Sequence, residues 1–245
     1  MVKRFYKDVS VGADNTVQLD NRTMKTPKGA PFVLPTRELA NAIAEEWRAQ
    51  EGDIKPETMP LTRLAHAAID GASESALIAE QAAAYAKSDL LCYRAEHPDE
   101  LVIRQARQWG PLLDWLAETH GARLKHATGI GFVEQPPEAL ARLSERVGRL
   151  DPFALVALHT ATSITGSLAL GLALAEARLT AREAFALSRL DEDFQAERWG
   201  RDAEAEARAT RLLADLEAAE RFIKLSHSLT SPLRGGRKIL LRIFR

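Results

Sequence analysis

Cysteine is almost missing from this chain. Cys92 is the only one in 245 residues, and a lone thiol cannot close an internal disulfide, so a reducing compartment is expected. Net charge is missing too. The 33 basic and 34 acidic side chains leave a formal charge of -1, which removes the global field that would draw in nucleic acid or an anionic membrane. The opening residues, Met1 to Tyr6, have neither the apolar core of a secretion signal nor the Arg/Ser-rich run of a transit peptide. A bacterial-type cytoplasm is the expected location, with the mitochondrial matrix as its eukaryotic equivalent.

Catalytic signatures are also lacking. Gly235-Gly236-Arg237-Lys238 has neither the spacing nor the hydroxyl of a phosphate-binding loop. Gly129-Ile130-Gly131 has no third glycine, so it is no dinucleotide fingerprint. There is no nucleophile elbow. None of the histidines (66, 97, 120, 126, 159 and 227) stands four residues from another with a glutamate between. His120 and His126 flank a loop, but isolated histidines read as surface or satisfied core residues. Cys92 lies in the apolar run Leu90-Leu91-Cys92-Tyr93 and reads as an inert buried thiol. No cofactor, no metal and no enzymatic activity are expected.

Charge disappears altogether from Pro152 to Ala175. The stretch is long enough to span a bilayer. It also holds His159, Thr160, Thr162, Ser163, Thr165, Gly166 and Ser167, whereas true spans are richer in large apolar side chains. A small-residue helix buried inside a bundle is expected instead, with no stable membrane insertion.

What remains is an ordinary globular composition, since 46% apolar and 27% charged residues are enough to build a core. The first 35 residues read as β: Phe5 to Val11, Thr16 to Leu19, Arg22 to Thr26 and Phe32 to Leu34. Asp20-Asn21 is a hairpin turn, because Asn tolerates positive φ. Thr36 caps a helix with an apolar stripe at Leu39, Ile43 and Trp47. A second helix runs from Leu61 to Ile69 and stops at Gly71. After residue 73 the chain reads as helical almost throughout. Pro98-Asp99-Glu100 opens a helix that stops before Gly121, with Pro111 expected to kink it or to mark an adjoining turn. Residues 122 to 135 read as a loop or short hairpin. Helices resume at Pro137, at Asp151-Pro152 and at Thr180, where Thr180 and Glu183 form a capping box. The last helix runs from Asp202 to Leu225. The expected fold is α+β: a β-rich N-terminal domain (1–72), a larger all-helical domain (73–230), and a basic tail (231–245).

Leu187 to Gly200 is the most distinctive segment. At helical spacing Leu187, Leu190 and Phe194 share a face, Asp191 borders that stripe, and Glu192 lies on the far side. A calcium loop is excluded by the wrong Asp spacing and the missing central glycine. A solvated charged face is the plain reading. The sharper one is an acidic edge for a protein partner, formed by Asp191, Glu192, Phe194, Glu197 and Trp199. Carboxylate pairs for a hydrolase (Asp191 with Glu197, or Glu46 with Asp89) have no positive support. The tail carries Arg234, Arg237, Lys238, Arg242 and Arg245 among apolar residues. It reads as a frayed end or as an amphipathic segment for a membrane adaptor.

Several stretches, taken in order, resemble the ATP-twelve family, the assembly chaperones for the α subunit of the F-type ATP synthase catalytic head. They are Arg4 to Ser10, Leu19 to Pro27, Ala44 to Gln50, Met59 to Leu64 and Ser88 to Glu96. Gln105 and Trp109 ahead of Leu112 to Trp115 follow, then Leu187 to Gly200. Asn21 replaces the family's usual hairpin glycine. Trp109-Gly110-Pro111 replaces its usual Trp-Asp-Pro. The resemblance implies a binding protein that holds the free α subunit, covers the surface the β subunit will occupy and prevents aggregation until exchange; a monomer is expected. The family's functional acid falls on Asp191, with Glu192 beside it.

Overall fold

The structure is a computed structural model that describes residues 2–129 and 131–227. The basic tail lies outside the described residues, as does any membrane-adaptor role for it.

Three antiparallel strands open the fold: β1 (Val9–Val11), β2 (Val17–Leu19) and β3 (Arg22–Thr23). Val9 faces Leu19 and Gln18 faces Thr23. Asp20 and Asn21 turn the β2–β3 hairpin with φ of 48° and 63°, the geometry whose twist matches paired strands. The strands are shorter than the sequence implies. Phe5 to Asp8 lie outside them, and residues 25 to 33 contribute only the single bridges Lys25–Pro31 and Thr16–Val33. Pro27 and Pro31 have no N–H to give a ladder.

α1 (Arg37–Arg48) begins at Thr36, whose hydroxyl accepts from Leu39 N at 3.1 Å. It buries the expected stripe of Leu39, Ile43 and Trp47. α2 (Pro60–Asp70) follows, then a 3₁₀ turn over Ala72–Glu74, then α3 (Ser75–Ala84). The domain boundary read at residue 73 falls in that turn. Across it the apolar core is continuous, since Leu61 and Ala65 of α2 join the same cluster as Leu155 and Phe222.

β4 (Tyr93–Arg94) leads to α4 (Asp99–His120), which runs on through Pro111 and stops at Gly121, where φ is 63°. Proline therefore does not end this helix. β5 (Ala127–Thr128) pairs with β4 in parallel. The segment 122–135 is thus no hairpin, because its strand partner lies on the far side of α4 in the chain. α5 (Pro137–Gly148) comes next.

The charge-free stretch forms two helices, α6 (Pro152–Thr165) and α7 (Leu168–Ala175). Gly166, with φ of 67°, ends the first. The expectation of one helix fails there, while the expected burial holds: every residue of α7 is buried. Among the described residues no helix is long and apolar enough to cross a membrane. The capping box of Thr180 and Glu183 starts α8 (Ala181–Ser188), and α9 (Leu190–Trp199) follows closely. α10 (Ala203–Ser226) then returns along α6, where Phe222 stacks on Phe153 with ring centroids 5.8 Å apart.

Candidate partner-binding edge

α9 is held against α4 by a polar seam. Gln105 is fully buried at its centre. Its carbonyl oxygen accepts from Ala95 N at 2.8 Å, and its amide nitrogen donates to Asp191 Oδ1 at 2.6 Å. The two opposed roles fix the amide's orientation. One turn further along, Trp109 Nε1 donates to the Leu187 carbonyl at 3.0 Å. At the solvent end, Arg104 makes a two-pronged contact with Glu197 at 2.9 and 3.0 Å, and Arg198 reaches Glu100 at 2.7 Å. Arg104 lowers the pKa of the Glu197 carboxyl by direct hydrogen bonding.

The five residues expected to form one edge are divided by this seam. Asp191 is half-buried and faces α4 through Gln105. Phe194 is buried beneath the guanidinium groups of Arg104 and Arg198, which lie 5.0 and 4.4 Å from its ring centroid. It therefore offers no apolar surface, contrary to the expectation, because two cations, one from α4 and one from α9 itself, cover the ring. Glu197 is exposed but already paired. Glu192 is exposed on the opposite side of α9, where it lines a crevice of about 620 Å³ with Arg189, Arg208 and Arg211. Glu192 makes no ion pair among the described residues. Trp199, at the helix end, is 86% exposed.

Sequence reasoning missed the basic half of this edge. Arg104 and Glu100 belong to α4, far from α9 in the chain, and no local pattern marks the pairing. The same turns expose Ile103, at 65%. The visible signal was Gln105, a polar residue inside an apolar helical stripe.

The carboxylates weighed for hydrolysis are committed elsewhere. Glu46 accepts from Leu61 N and Thr62 N at 2.8 Å each, capping α2. Asp89 is fully buried and accepts from Leu91 N, Ser167 Oγ and Ala169 N at 3.1, 2.7 and 3.0 Å, anchoring the start of α7. Burial raises the pKa of both groups against those hydrogen bonds. Burial likewise pushes the Cys92 thiol up to about 12, far from a reactive thiolate. No cluster of metal-ligating side chains occurs among the described residues.

Comparison with known proteins fits this architecture. The model of the ATP12 chaperone protein family matches residues 3–117. The mitochondrial Atp12 of Schizosaccharomyces pombe is 27% identical over 214 residues, 81% of this chain and 74% of that protein. The crystal structure of Atp12 from Paracoccus denitrificans is 45% identical, with a TM-score of 0.87, over 92% of this chain and 99% of that one. The chain belongs to the ATP12 chaperone family. An Asp→Lys mutant of the Paracoccus Atp12p superposes equally well, with a TM-score of 0.88. A candidate chaperone from Agrobacterium tumefaciens is 44% identical with a TM-score of 0.86, over 91% of this chain and 85% of that one. The match to the solved structures covers 92% of the chain, more than the residues 3–117 covered by the family model.

Proposed function

We propose that this ATP12-family chaperone acts in assembly of the F-type ATP synthase by holding the free α subunit of the catalytic head. It would shield the apolar surface that the β subunit later covers, and so prevent aggregation. The observation that carries this reading is the match to Paracoccus Atp12 over 92% of the chain at 45% identity. The role is binding: the seam beside α9 consumes carboxylates in structural contacts and leaves an exposed acid, Glu192, in the first turn and an exposed aromatic, Trp199, at the last residue. Exposed aromatics flanked by charge are the residue types that anchor protein interfaces. Within this reading Asp191 contributes by fixing α9 on α4, while Glu192 and Trp199 meet the client. The protein works as a monomer in the bacterial cytoplasm, without a cofactor.

The test is light scattering of free α subunit on dilution from denaturant, with and without the full-length protein, alongside pull-downs with free α and free β subunits. The expected result is suppression of α-subunit scattering and selective retention of α. Failure to suppress, or equal retention of β, would overturn the assignment of the client.

A further inference from the structure

We propose that a basic bay on the opposite side of α4 from the Asp191 seam binds a phosphate-class oxyanion, free or as a monoester. The parallel pairing of β4 with β5 builds it. Tyr93 aligns with Ala127 and Arg94 with Thr128, which brings Arg94 beside Lys125 and His126, residues remote from it in the chain. The floor is rigid. Gln135 grips the Lys125 backbone with two hydrogen bonds of 2.8 Å, and Leu124 is buried.

The bay encloses about 460 Å³, and Arg94, Arg123, Lys125 and His126 line it with Asp114 as the only acid. Arg94 is the central group. Its Nε is buried and has no hydrogen-bond partner, and its guanidinium makes no ion pair among the described residues. A buried guanidinium N–H without an acceptor is a standing cost in a folded protein. The Nη2 end of the same guanidinium lies beside Gly110 at the bay, where an oxyanion with several acceptor oxygens can meet it, and a guanidinium fork matches that geometry.

Gly110 keeps the space open. It faces the bay from α4, and a Cβ built there would meet only Arg94 Nη2, at 4.0 Å. The helix thus withholds a side chain where a carboxylate would have paired with Arg94. The chemistry of the opening is therefore complementary to an anion arriving from solution. Burial lowers the pKa of His126, and Arg94 lowers it further. The ring adds an N–H donor to the lining.

The test is isothermal titration and thermal unfolding of the full chain with inorganic phosphate, with phenyl phosphate, and with chloride at matched ionic strength. Binding of phosphate but not chloride is expected, and tighter binding of phenyl phosphate would identify a monoester as the occupant. Gly110→Asp should supply the missing partner. It should raise the melting temperature without anion and abolish the phosphate response. Arg123→Ala/Lys125→Ala removes two exposed cations. It should weaken phosphate binding by roughly tenfold without changing the melting temperature in its absence. A chloride response equal to that of phosphate, or an undiminished phosphate response in both variants, would overturn the proposal.

Discussion

Gln105 donates to Asp191 across 2.6 Å, and the same amide accepts from Ala95 N. The acid that borders the α9 stripe is thus a structural partner of a buried side chain before it is anything else. The two neighbouring acids should therefore respond differently to charge reversal. Asp191→Lys sets an ammonium against the Gln105 amide donor and should cost about 1–3 kcal/mol of stability. Glu192→Lys, on the exposed side, should leave stability within about 0.5 kcal/mol yet weaken retention of the α subunit. Urea melts and pull-downs separate the two effects. Undiminished retention by a folded Glu192→Lys variant would move the client away from this edge.

Gln105→Leu keeps the volume and removes both hydrogen bonds. It leaves the Ala95 N–H and the Asp191 carboxylate without their partner, and a loss of about 1–3 kcal/mol is expected. Equal urea midpoints for variant and parent would show that the seam contributes nothing.

Trp199 is 86% exposed, so Trp199→Ala should not alter the melting temperature. If the ring anchors the client, affinity should fall by about tenfold or more. Titration of labelled α subunit measures this, and an unchanged affinity would remove Trp199 from the interface.

Glu176 supplies a pH dependence. Burial raises its pKa, but His120, at 3.4 Å, and Arg146, at 3.0 Å, outweigh that, and the carboxyl ends below its ordinary range. A depressed carboxyl pKa gives stability that is present above the unfolded value and is lost as pH falls through the folded one. The loss should begin below about pH 4.5. Glu176→Gln should be less stable at neutral pH and show a shallower acid limb. Parallel acid limbs in urea titrations of both proteins would refute the contribution of this carboxylate.

Gly166 ends α6 at φ of 67°, and a Cβ there meets nothing within 4 Å. Gly166→Ala should therefore cost only the left-handed backbone penalty, about 1–2 kcal/mol. A larger loss of stability would mean that the helix junction itself had moved.

Local chemistry was legible in the sequence. The Asp20-Asn21 turn, the Thr36 cap, the Asp151-Pro152 start and the Thr180–Glu183 box each depend on residues within a few positions of one another, and each stands where it was read. The α+β order was legible for the same reason. Contacts made across the chain were not. Parallel pairing of β4 and β5, the cap that Glu46 provides for α2, and the cations that cover Phe194 all join distant segments. The acidic edge shows the consequence: its members were identified from one helix, but the direction each faces depends on α4. Gly166 was visible as a residue, but a glycine inside an apolar run does not say whether it packs or breaks.

Phe222 of α10 stacks on Phe153 of α6, and α10 is the last helix described. The most apolar part of this protein is synthesised well before the helix that covers it. While α8, α9 and α10 are still inside the ribosome, residues 152–175 are covered only by the earlier helices they pack on, such as α2, α3 and α4, and the side that α10 closes is open. Vectorial synthesis therefore leaves this chaperone, for a time, as exposed as the clients such proteins protect. Chains truncated before residue 203 should themselves require a holdase.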